Sequence, residues 1–181
     1  MRKERFEAIT DAILAIIATL MLLEIKLGDL SDGSIHRFIG QVLIYIVSFT
    51  YIAILWLNHH NMFRHVESVD TKTIWINFWL LFSTSLIPLA TATLDESFFN
   101  QRSHMFFGTV LAAVLLFYSL LEERVYKSTK HKYNDANRKM NWISTLIFVV
   151  SVPLSCISIY LSSVIFVLVP FSYLLLPNKV K

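Results

Sequence analysis

Charge is what this chain has least of. Asp, Glu, Lys and Arg make up 16% of its 181 residues, against about 25% in a soluble domain, so a hydrated surface on every side cannot be built. A single cysteine, Cys156, excludes an intrachain disulfide; set in an apolar run, it reads as a small packing residue. Glycine is also scarce, four in the chain, which counts against the broken helices that carriers use. No internal repeat, low-complexity tract or linker divides residues 1–181, so a single domain is expected. Six histidines are present but no H-E-x-x-H pair. His60 and His65 stand five apart, on different helix faces, and His36 and His104 fall toward the other end of their helices. Neither an enzyme nor a metal centre nor a cofactor is expected.

What is present is apolar length. Hydrophobic residues make up 55% of the chain and the mean hydropathy is +0.57, the profile of an all-α integral membrane protein. Crossing a hydrocarbon layer takes about 17–25 mostly apolar helical residues. Such runs occur at about 9–27, 38–57, 74–94 and 104–121. The stretch 141–177 accommodates two shorter spans, about 141–158 and 161–177, with the polar segment SCISIYLSS (155–163) as the turn between them. Pro88, Pro153 and Pro170 lie inside spans, which membrane helices tolerate. A cleaved leader is not expected at the first span, because EIKLGDL after Leu23 offers no small-x-small site.

Six spans also suit the charges. With both termini on the cytoplasmic side of a cell membrane, thirteen of the sixteen Lys and Arg fall on that side, leaving Lys26, Arg37 and Arg102 outside. The segment 122–140 then reads as a basic, solvated cytoplasmic connection. Trp56, Trp75, Trp79 and Trp142 sit near cytoplasmic span ends, where indole rings anchor at the headgroups.

The first span is unusual. RFEAITDAILAIIATLMLLEI carries Arg5, Glu7 and Asp11 at its entrance and a lone Thr19 among apolar residues. At 100° per residue, Ala12, Ile16, Thr19, Leu23 and Leu27 form one stripe, and Asp11 lies about 140° from Ile16. An ionisable group inside a span needs a partner. For Asp11 the candidates are Arg5, His59, His60, Asp70 and Asn77. Alternatively, Asp11 is a first-turn carboxylate favoured by the helix dipole, and Thr19 a hydroxyl bonded to its own helix at Ala15 or set at a helix–helix contact.

The entrance Arg5-x-x-x-Ile9-Thr10-Asp11 resembles the R-x-x-x-F-S-D signature of the transmembrane-protein-175 family of potassium channels. WLNHHNMF (56–63) is similar to that family's W-x-x-H-x-x-x-F element, and Asp70, Asn77 and Pro88 resemble its third span. The likeness covers about the first half of the chain and departs from the pattern where Ile9-Thr10 replace Phe-Ser. The resemblance implies a homotetramer of six-span subunits, with the first helices around a central passage for monovalent cations. It places Ile16 at a hydrophobic constriction, Thr19 at a hydroxyl layer and Leu23 at the next apolar layer, with Ala12 and Leu27 on the same path. It assigns Arg5, Thr10, Asp11, His59, Asp70 and Asn77 to a polar network behind that path.

A passage walled by Ile and Leu offers an ion no oxygen ligands, so the ion crosses partly dehydrated or when the constriction wets. Potassium sheds water more readily than sodium, and Thr19 hydroxyls would replace some of it. No TVGYG-like segment supplies a carbonyl filter. The expected function is a potassium-preferring cation channel, with potassium as the permeant species and the lipid bilayer and its own copies as partners, and no nucleic acid. The alternative is a small secondary transporter or proton-coupled cation carrier, against which stands the absence of ionisable residues from the middle of the spans.

Overall fold

A computed structural model describes residues 1–25, 32–64, 66–128 and 135–175. Those residues form seven α-helices and no strand: α1 (Lys3–Leu23), α2 (Asp32–Phe63), α3 (Thr71–Ser85), α4 (Ile87–Glu96), α5 (Gln101–Ser128), α6 (Asp135–Ile157) and α7 (Ile159–Leu175). α3 and α4 meet at the single residue Leu86 and form one continuous apolar segment, Thr71–Glu96. The chain therefore crosses its bundle six times. Five of these segments are long and apolar enough to span a membrane, and the sixth, α7, is a shorter apolar helix.

Local chemistry fixes the helix ends. Asp70 caps α3, its carboxylate accepting from the Thr73 amide at 3.0 Å. Pro88 stands in the first turn of α4, where its missing N–H is no loss, so the proline that sequence places inside a span starts a helix. The turn expected within 155–163 falls there, confined to Ser158, where α6 gives way to α7. The hydroxyl of Ser155 donates to Ser151 O, and those of Ser162 and Ser163 to Ile159 O. A serine satisfied on its own helix need not leave it.

Cross-contacts set the topology. Trp56 reaches Asp11 and Thr91 reaches Ser48, so α2 runs antiparallel to α1 and α4. Arg124 meets Asp70 and Gln101 meets Cys156, which makes α5 antiparallel to α3 and α6. Tyr173 Oη donates to Asn141 Oδ1 at 2.7 Å, closing α6 and α7 into a tight hairpin. α5 is the central post, with buried residues from Ser103 to Val125. The basic residues Arg2, Lys3, Arg5, Arg64, Lys72, Arg124, Lys127, Arg138 and Lys139 gather at one end of the bundle, and Arg37 and Arg102 stand at the other.

Two expectations fail. α5 does not stop at residue 121 but runs to Ser128, because Tyr118, Leu121 and Val125 continue its buried face one turn past the first charge. Cys156 is exposed rather than packed inward, with Sγ 3.6 Å from Met105 Sδ.

Candidate functional site

α1 has two faces of different use. Phe6, Thr10, Leu14, Ile17 and Met21, spaced by three and four residues, are buried against the rest of the bundle. The stripe of Ala12, Ile16, Thr19 and Leu23 points the other way and is exposed, Ile16 at 57% and Leu23 at 78%. Leu27, the last position of the stripe, lies outside the described residues. No described residue of the stripe serves the subunit's own core.

Thr19 Oγ1 donates to Ile16 O at 2.8 Å, one residue short of the expected Ala15. Its proton is thereby committed to the helix, and the lone pairs left on an exposed oxygen can only accept. The one hydroxyl of the stripe thus presents a partial negative charge between two apolar side chains.

Behind the stripe, three of the polar residues singled out by sequence meet. Thr10, 1% exposed, donates its proton to Phe6 O at 3.1 Å and accepts from Asn77 Nδ2 at 2.9 Å. That fixes the orientation of the Asn77 amide, whose Oδ1 faces His59 Nε2 at 3.0 Å. His59 therefore carries its ring proton on Nε2. Its ring packs against Phe6 and Phe63, with centroids 5.9 and 4.8 Å away, and those two rings touch each other at 4.8 Å. The chain Thr10, Asn77, His59 ties α1, α3 and α2 together at one depth.

Asp11 is not in that chain. Its Oδ1 accepts from the Trp56 indole Nε1 at 3.0 Å, on the exposed side of the α1–α2 seam. None of the five expected partners takes that place. An arginine or histidine at this depth would have to be desolvated beside it, whereas an indole brings one donor and no charge. Trp56 in turn stacks on His60, with centroids 6.2 Å apart. Arg5 is exposed one turn before Ile9. Asp70 works elsewhere again, holding the start of α3 to Arg124 Nη2 of α5 at 2.6 Å. Hydrogen bonds from Thr73, then from Arg124, hold its carboxyl well below the usual carboxylate range.

Sequence reasoning missed a second polar cluster. Glu122, 3% exposed, accepts from Asn141 Nδ2 at 2.7 Å. Asn141 Oδ1 accepts from Tyr173, whose hydroxyl also lies 3.1 Å from Ser144 Oγ. A small cavity of about 30 Å³, lined by Asn141, Tyr173, Tyr51 and Asn58 among apolar side chains, adjoins it. Reading 122 as the start of a loop hid the glutamate; Val125 and Tyr126, continuing the apolar pattern beyond it, were the available signal.

Comparison with known proteins points one way. Residues 5–88 match the family described as the endosomal/lysosomal potassium channel TMEM175. A protein named as a potassium channel from Chryseobacterium sp. (strain P1-3) is 33% identical over 184 residues, covering 99% of this chain and 95% of that one. Another potassium channel by name, from Chamaesiphon minutus, is 30% identical over 87% of this chain and 86% of its own. A protein from Danio rerio named as the endosomal/lysosomal proton channel TMEM175 is 27% identical over 74% of this chain, which spans 29% of that longer protein. The crystal structure of a lysosomal potassium-selective channel TMEM175 homolog from Chamaesiphon minutus superposes with a TM-score of 0.77 at 24% identity, covering 95% of this chain and 96% of that one. That likeness is one of fold.

Proposed function

The chain belongs to the TMEM175 family of membrane channels, and on that premise we propose that it is a potassium-preferring cation channel, assembled from four copies with α1 of each subunit facing a shared axis. The observation that carries the reading is the stripe of α1. Ala12, Ile16, Thr19 and Leu23 turn away from the subunit's own core on a helix whose opposite face is fully packed.

In this reading Ile16 forms the narrowest ring and Leu23 a wider apolar layer. Between them Thr19 supplies acceptor oxygens to an ion that has lost part of its hydration. The apolar rings hold the passage dry until it widens, so constriction and gate are the same residues. Thr10, Asn77 and His59 keep α1 seated on α2 and α3 from behind. The basic end of the bundle faces the cytoplasm, a reading supported by the excess of Lys and Arg at that end. Residues 1–181 act as one channel domain.

Purified protein reconstituted into liposomes tests the reading directly. Flux driven by potassium, caesium, sodium and proton gradients is expected to be larger for potassium and caesium than for sodium. It should rise in proportion to the driving force without a saturating turnover. Saturating exchange that demands a counter-ion would replace the channel by a carrier.

A further inference from the structure

Between α2 and α7, in the half of the bundle remote from the basic end, the helices leave a groove of about 740 Å³. Along α2 it runs from His36 to Val47, about 16 Å at 1.5 Å per residue. That is the depth of one leaflet of a hydrocarbon core about 30 Å thick. Arg37, Gly40, Ile44 and Val47 follow one another at three and four residues, so a single face of α2 forms this wall. Phe107, Phe166 and Val167 face it from α5 and α7. At Gly40 the groove is open, since a Cβ added there would meet nothing within 4 Å.

The mouth is polar and carries both signs of charge. Arg37 and Asp95 line it together. Asp95 Oδ2 accepts from Gln41 Nε2 at 2.8 Å. Gln41, 7% exposed, lies behind the lining and holds that carboxylate in place. The mouth therefore asks for an anion beside Arg37 and for N–H donors beside Asp95, and the walls below ask for hydrocarbon.

We propose that this groove seats a phospholipid whose head group joins a phosphate to a primary ammonium. The phosphate lies at Arg37, the ammonium donates to the Asp95 carboxylate, and one acyl chain descends over Gly40. This assignment is independent of the ion path along α1.

The test is native mass spectrometry of the detergent-purified full chain, offered equal amounts of phosphatidylethanolamine, phosphatidylcholine and phosphatidylglycerol with identical acyl chains. Phosphatidylcholine lacks the N–H donors and phosphatidylglycerol the ammonium. Phosphatidylethanolamine should be retained at least tenfold more than either. Gly40→Leu, which fills the open wall, should abolish its retention, and Val167→Trp should do the same from α7 if the first variant is poorly helical. Asp95→Asn should bring the three lipids to within about twofold of one another. Equal retention of all three by the native protein overturns the proposal. So does a well-folded Gly40→Leu protein that keeps phosphatidylethanolamine while losing its oligomeric state, which would give the groove to a second copy of the chain.

Discussion

Asn77 Nδ2 donates to Thr10 Oγ1 at 2.9 Å, and this bond is the joint between α1 and α3. The same amide accepts from His59, so one side chain of α3 satisfies two buried groups on two other helices. Replacing Asn77 by Leu leaves both Thr10 and His59 short of a partner, at about 1–3 kcal/mol for each buried polar group. The thermal transition of the detergent-solubilised protein should fall by several degrees, with helicity at low temperature unchanged. An unchanged transition would mean that water replaces the amide.

Ile16 is the second position to test. Ile16→Asn puts an amide where the proposed apolar ring is narrowest, and it should raise potassium flux from liposomes several-fold by removing the barrier to wetting. The side chain is exposed in the subunit, so folding should be indifferent to the change. Unaltered flux would take the constriction away from Ile16.

Asp11 and Trp56 meet on the exposed side of the α1–α2 seam. Asp11→Ala should shift the protein toward smaller species in size-exclusion chromatography, with the potassium-to-sodium flux ratio little changed in the oligomer that remains. Normal assembly with altered selectivity would instead put the carboxylate on the ion path.

Acid should loosen the start of α3. The Asp70 carboxyl is held below its unfolded value by Thr73 and Arg124, so its stabilising contribution is complete above about pH 4, the unfolded value, and is lost progressively as pH falls from there toward the lower, folded value. Removing the cap with Asp70→Ala should cost about 0.5–2 kcal/mol at neutral pH. The deficit, measured as a difference in thermal transition, should narrow as the medium is made strongly acidic. A gap that stays constant down to pH 2 would leave the charge of Asp70 without a role.

Glu122 and Asn141 offer an asymmetric pair of substitutions. Asn141→Leu strands a buried carboxylate and removes a partner of Tyr173, with an expected loss of about 3–5 kcal/mol. Glu122→Gln keeps an acceptor for the Asn141 amide and should be far milder. Equal losses from the two would show that the carboxylate's charge is itself essential to the fold.

Much of this architecture was legible because hydrophobic length and the placement of Lys and Arg are one-dimensional signals. The two faces of α1 are likewise written in its spacing, since Phe6, Thr10, Leu14, Ile17 and Met21 fall opposite Ile16 and Thr19. Partners were harder to read. A shared end of the spans suggests Arg5, His59, His60, Asp70 or Asn77 for Asp11, whereas the structure gives it a neutral indole. Which helix face meets which neighbour is a tertiary fact that periodicity does not carry. Glu122 was lost for a related reason: composition marks a charge as the edge of a span, and partners far along the chain, Asn141 first among them, make its burial tolerable. The serines of 155–163 do contain the turn, at Ser158, but make it look wider than it is, since their neighbours bond to carbonyls of their own helices.

The attachment of α1 is uneven along its length. At the basic end, Met1 O accepts from Val69 N at 3.1 Å, Lys3 Nζ donates to Arg64 O at 3.2 Å and Thr10 holds Asn77. Toward Leu23 the helix is seated by Ile17 and Met21, through dispersion forces that allow sliding in a way directional bonds do not. α1 is therefore anchored by directional bonds near its beginning, and any tilt about that anchor would displace Leu23 further than Ile16.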